Sequence, residues 1–196
     1  GDICETGEPA VDKAEECAAF HKLRIDTRAE DAKLLGIPFI ITEFGACLDS
    51  DVCAREITQV GEAADAVLAG WAYWQFKIFK DITTTAKTSS EGFYNQDANA
   101  TLQHQKVKAL ARTYIQKTQG TLTHMNFNTS TASFTAHFSL DTSVDQCTLI
   151  YMNKQYYYPN EPTFKVTNID SNAILQAQSD YYVAFGNNTA CLSFNE

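Results

Sequence analysis

Hydrophobic positions along this chain follow two periods, and one gives way to the other past the middle. From Ala10 to Leu35 the sequence is charged and helix-favouring, with Pro9 at the start and apolar or small residues at Ala14, Cys17, Phe20 and Leu34. Gly36 and Pro38 supply a stop signal, so one long amphipathic helix is expected. Phe39-Ile40-Ile41 follows as a short continuous apolar run, the pattern of a strand buried on both faces of a parallel sheet. Helical spacing returns from Cys53 to Leu68 through Ile57, Val60, Ala64 and Val67, and Gly70 then opens an aromatic run that reads as a second buried strand. The polar stretch Asp81 to Ala100 reads as a loop. Val107, Leu110, Ala111, Tyr114 and Ile115 share one helical face. The order helix, strand, helix, strand, loop, helix is that of the last third of a β/α barrel.

After Gln119-Gly120 the composition shifts to Thr, Ser, Asn and Tyr, and alternation replaces helical spacing in Phe134, Ala136, Phe138, Leu140 and again in Cys147, Leu149, Tyr151. Tyr181-Tyr182-Val183-Ala184-Phe185 supplies a late strand, and Pro159-Asn160 marks a turn. The expected fold class is therefore α/β: the C-terminal portion of a TIM (β/α)8 barrel over residues 1–118, followed by a small all-β sandwich domain over 119–196. A whole barrel takes roughly 250 residues, so the first strands are expected on a separate N-terminal chain. An isolated part-barrel would leave strand edges unpaired. The chain opens at Gly1 without methionine or an apolar leader, which reads as a processed product or a fragment, and no apolar stretch is long enough for a transmembrane helix.

Over 196 residues, 44% hydrophobic content is enough for a packed core, and fifteen basic against twenty-four acidic residues give a net charge of -9. That balance disfavours nucleic acid or anionic membrane as a partner and is ordinary for a secreted or lysosomal protein. Six cysteines accompany three glycosylation sequons, at Asn99, Asn128 and Asn187, and together they favour an oxidising, secretory route. Cys47 and Cys53 read first as a short disulfide loop, with a pair of reduced core thiols as the alternative. Cys147 and Cys191 are the other candidates, able to staple two strands. No cysteine spacing resembles a zinc site, and His21, His104, His124 and His137 stand without partner spacing, so no metal and no cofactor are assigned.

Glu43 carries the candidate chemistry, because a carboxylate at the C-terminal end of a barrel strand points into the mouth where substrates bind. Trp74, at the end of the next strand, offers a flat apolar face on which the C–H face of a pyranose can stack. Trp71, Tyr73 and Phe76 are assigned to the core.

Four segments, Ile41-Thr42-Glu43-Phe44-Gly45-Ala46-Cys47, Gly70-Trp71-Ala72-Tyr73-Trp74-Gln75-Phe76-Lys77, Asp81-Ile82-Thr83-Thr84 and Glu91-Gly92-Phe93-Tyr94-Asn95, closely resemble glycoside hydrolase family five in its endoglycoceramidase-like and glucosylceramidase-like branch. The resemblance covers roughly residues 8 to 120, and the tail resembles that branch's C-terminal β-sandwich more loosely. It implies a retaining glycosidase acting on glucosides or glycosphingolipids, with Glu43 as nucleophile and Trp74 and Lys77 as substrate-binding residues. The acid/base of this family is the glutamate of an Asn-Glu-Pro triplet that precedes the nucleophile. Asn160-Glu161-Pro162 lies instead in the β-rich tail, so it reads as a turn and the acid/base is expected on the N-terminal chain. The rival reading is a non-catalytic structural or carbohydrate-binding subunit on a glycosidase-derived fold.

Overall fold

The computed structural model describes residues 3–6, 9–77, 92–95 and 97–195. The chain divides into two compact units, Gly1–Leu110 and Ala111–Glu196, a boundary earlier than the expected 118/119. The Asp81-Ile82-Thr83-Thr84 loop and Glu91 lie outside the described residues.

In the first unit, helix α1 spans Ala14–Leu35. It ends at Gly36, whose left-handed φ of 66° lets its N–H and that of Ile37 return to the Lys33 and Ala32 carbonyls. Strand β1 is Ile40–Phe44, helix α2 is Asp51–Ala66, strand β2 is Gly70–Tyr73 and helix α3 is His104–Leu110. Ser50 caps α2, its Oγ accepting from the Cys53 N–H at 3.1 Å. The strands pair in parallel, with Ile40 opposite Gly70, and α2 is the crossover that parallel pairing requires. One side of this sheet is covered. Ile25 of α1 and Val60 and Ala63 of α2 pack against Phe39, Ile41, Phe44 and Val67. Cys47, Cys53, Ile57 and Ala109 form a second cluster against Phe44, Tyr73 and Leu110.

The strands are not buried on both faces. Ile40 is 59% exposed, and among the described residues β1 and β2 pair only with each other. Leu34, read as a core position of α1, is 86% exposed, because α1 turns Cys17, Ile25 and Ala32 inward instead. Residues 111–115 do not continue α3 as a helical face: the helix stops at Leu110 and a strand, β3 (Tyr114–Lys117), follows. Tyr114 and Ile115 are claimed by pairing with Tyr151 and Ile150.

In the second unit β3 (Tyr114–Lys117), β6 (Thr148–Tyr151), β7 (Tyr181–Phe185) and β8 (Thr189–Phe194) form an antiparallel sheet in the order β3-β6-β8-β7. Between β3 and β6 in sequence, β4 (Gly120–Asn128) and β5 (Ser133–Leu140) pair as an antiparallel ribbon. Phe134 packs against the cluster of Ile150, Met152 and Ala190, and Phe138 meets Phe194 edge-on at 6.0 Å, so the ribbon covers the sheet. In β6 the buried positions are Thr148 and Ile150, not the alternate Leu149 and Tyr151, because the sheet turns the former toward that cluster. A disulfide joins Cys147 to Cys191 of β8.

Candidate active site

The placement of Glu43 depends on an irregularity in β1. Between the pairs Ile41–Trp71 and Phe44–Tyr73, β1 advances three residues while β2 advances two. Ile41 and Phe44 both pack on the helix side of the sheet, so the extra residue returns Phe44 to that side out of strict alternation. Without it Glu43 would share the face of Ile41 and meet α2. With it Glu43 lies opposite Phe44 and is exposed at the strand's C-terminal end.

Trp74 reaches the same side by ordinary alternation. Trp71 and Tyr73 meet Phe44 edge-on, with ring centroids 5.6 and 5.3 Å apart, which places them on the helix side and turns Ala72 and Trp74 to the other. The Trp74 N–H donates to the Phe44 carbonyl at 2.7 Å, carrying the pairing one step beyond both strands. Gly45 follows with φ of 129°, and a Cβ there would collide with the Trp74 carbonyl oxygen, so no larger residue fits. The structure thus brings Glu43 and Trp74 to neighbouring strand ends on one side of the sheet. Lys77 lies three residues further on and is exposed. Phe76, assigned to the core from sequence, is 60% exposed and instead meets Phe93 and Tyr94 edge-on, because the chain leaves the sheet after Tyr73.

Behind these ends stands a braced layer. Cys47 and Cys53 are joined in a disulfide, and the Tyr73 hydroxyl lies 3.8 Å from Cys47 Sγ, which as a disulfide sulfur has no proton to give. Burial pushes the Tyr73 phenol up to about 12, against a smaller opposing pull from a Cys47 backbone hydrogen bond. Lys106 of α3 is fully buried, although nothing in the spacing around it marks it out. Its Nζ donates to the Gly92 carbonyl at 3.0 Å and to the Gln103 side chain, while its N–H donates to Asp49 Oδ1 at 3.2 Å. One residue thereby ties the Cys47–Cys53 loop to the segment around Gly92.

Glu43 also forms part of the wall of an open groove of about 510 Å³ that runs along β1 from Phe39 to Cys47 and is bounded by His21, Arg24 and Arg28 of α1. At its floor the buried Glu56 carboxylate holds His21 Nε2 at 3.0 Å and accepts from Arg55 at 3.0 Å. A third disulfide, Cys4–Cys17, fixes the start of α1. Asn99, Asn128 and Asn187 are all exposed. Glu161 is exposed in the irregular segment of the second unit that follows Pro159. Among the described residues no three His, Cys, Asp or Glu side chains gather to hold a metal ion, and no helix is long and apolar enough to cross a membrane.

A parallel strand pair with a carboxylate and an indole at adjoining C-terminal ends is the arrangement found at a sugar-binding barrel mouth. Residues 112–190 match the glycoside hydrolase family 5 C-terminal domain. Among solved structures the chain is similar to endo-glycoceramidase II from Rhodococcus sp., at 18% identity over 85% of this chain and 32% of that one, with a TM-score of 0.54. A lactosyl-enzyme intermediate of the same enzyme aligns at 22% identity over 88% of this chain and 37% of that one, with a TM-score of 0.50. Sterylglucosidase 1 from Cryptococcus neoformans aligns at 12% identity over 90% and 29%, with a TM-score of 0.58. At such identities these likenesses show a shared fold. The chain spans about a third of the length of these enzymes. No curated protein matches it. The resemblance to glycoside hydrolase family five, in its endoglycoceramidase-like branch, thus rests on a matched C-terminal domain and on shared fold.

Proposed function

We propose that this chain is the C-terminal part of a retaining β-glycosidase acting on glucosides or glycosphingolipids, with its first unit forming the last strands of a (β/α)8 barrel and its second a β-sandwich. Glu43 attacks the anomeric carbon, Trp74 stacks on the sugar, and Lys77 contributes to substrate binding beside it. The single observation that carries this reading is the convergence of Glu43 and Trp74 at adjoining strand ends, produced by the extra residue in β1. The lactosyl-enzyme intermediate reported for endo-glycoceramidase II supports a covalent route, since only a retaining nucleophile forms such an adduct.

The acid/base is supplied by an N-terminal segment or chain that completes the barrel. Exposed Leu34, Ile37 and Ile40 and the edge of β1, which among the described residues pairs only with β2, support such a partner, because parallel sheets occur with both faces covered. Three disulfides and the exposed Asn99, Asn128 and Asn187 sequons support a secreted or lysosomal glycoprotein.

Azide rescue tests the role of Glu43 in the native assembly. Glu43→Ala should lose several orders of magnitude in turnover of an aryl β-glucoside, and azide should restore it, entering from the vacated face to give the α-glycosyl azide. Release of the β-glycosyl azide, or turnover unchanged by the substitution, overturns the assignment.

A further inference from the structure

On the outer face of the β4–β5 ribbon, His124 and His137 are direct cross-strand partners, with ring centroids 4.8 Å apart and planes tilted by 38°. Twelve residues lie between them in sequence, so nothing in the spacing announces the pair. Between Leu122–Phe138 and His124–His137 the ribbon carries an extra residue, Thr123. Its Oγ1 donates to the His137 carbonyl at 3.1 Å. Without Thr123 as the extra residue, regular pairing would set His124 against Ala136; with it, the two imidazoles face one another. Met125 and Phe127 occupy the buried side of β4, leaving both imidazoles exposed. Residues 120–140 contain no Asp, Glu, Lys or Arg, so the ribbon itself supplies neither imidazole with an ionic partner.

Two imidazoles held face to face in this way are a pair of borderline-soft nitrogen donors. A zinc ion bound at about 2.0–2.1 Å to each would need nitrogens about 3.4 Å apart in tetrahedral geometry, a separation that rotation about the side-chain torsions of rings this close can reach. We propose that His124 and His137 form a two-imidazole site for a divalent transition metal ion, Zn2+ or Cu2+. With only two protein donors, water completes the coordination and the ion exchanges readily. The consequence for the fold is a clip between β4 and β5, a two-stranded ribbon that pairs with no third strand among the described residues.

The test uses the whole protein in its native assembly and Cu2+ as the probe in a buffer that does not coordinate it. Calorimetry should find one exchangeable equivalent per chain, and pulsed electron paramagnetic resonance of the unchanged protein should count two imidazoles on the ion. His124→Ala and His137→Ala should each weaken binding by about 10²-fold as chelation is lost, while His104→Ala leaves it unchanged. A count of one imidazole in the unchanged protein, or equally tight binding by either ribbon variant, overturns the site. The count needs no variant, so it decides the question even where a substitution disturbs folding.

Discussion

The two units of this chain both bury a core but differ in where their exposed apolar residues lie. In Gly1–Leu110 the end of α1 and the start of β1 present Leu34, Leu35, Ile37 and Ile40 to solvent one after another. In Ala111–Glu196, Phe127, Met152, Ala190 and Leu192 are buried, and the ribbon lies over the four-stranded sheet. The contrast follows from topology. An antiparallel sheet can be covered on one face and solvated on the other, so the open face of the second unit's sheet needs no further cover. A parallel pair tolerates no open face, and the apolar surface of the first unit is what a completing segment would bury at about 25 cal/mol per Å².

Separating the units should break that comparison most sharply. Residues 111–196 expressed alone should be monodisperse and unfold cooperatively, whereas 1–110 alone should aggregate. Analytical ultracentrifugation with thermal melts checks both. A soluble, cooperative 1–110 would mean that its exposed apolar run needs no cover.

The disulfides offer a smaller contrast. Chain-entropy reasoning gives about 4 kcal/mol for Cys147–Cys191 and about 2 kcal/mol for Cys47–Cys53, because the first closes a loop of 44 residues and the second one of 6. Paired Cys→Ala replacements, melted in denaturant, should rank in that order. The reverse ranking would place more of the chain's stability in the first unit than its open sheet suggests.

Much of the architecture was legible because punctuation and period agreed. Gly36 and Pro38 ended α1, the apolar run beside them became β1, and Gly70 opened β2. Where one stretch satisfies two periods, the pattern alone fails: Val107, Leu110, Ala111, Tyr114 and Ile115 fit a helical face, yet long-range pairing with β6 claims Tyr114 and Ile115. Irregular pairing was equally hidden. The extra residue that turns Glu43 outward and the one that aligns His124 with His137 bear no glycine or proline mark, so side-chain direction there depends on the partner strand's register. Lys106 was missed for a related reason, since its buried partners, the Gly92 carbonyl and the Gln103 side chain, are set by the chain's path after β2.

The smallest expected effect lies in alkali. Tyr73 in the first unit and Tyr157 in the second are both pushed up to about 12 by burial, with Arg112 opposing the shift of Tyr157. The unfolded phenols ionise near 10, so between about 10 and 12 the unfolded state holds fewer protons than the folded one and stability falls as pH rises. Below that window the contribution is fully present. Tyr73→Phe should flatten this alkaline loss in the first unit only, as read by unfolding monitored separately in each unit. An unchanged slope would show that Tyr73 ionises freely in the fold.

The role we propose for Glu43, turned out by the irregularity in β1, is to form the bond to sugar. Incubating the native assembly with an activated 2-fluoro-β-glucoside and mapping peptides by mass spectrometry tests it directly. One glycosyl ester per chain is expected, on the peptide containing Glu43, with activity lost in proportion to labelling. Label on Glu56, Glu91 or Glu161 in active protein would contradict it.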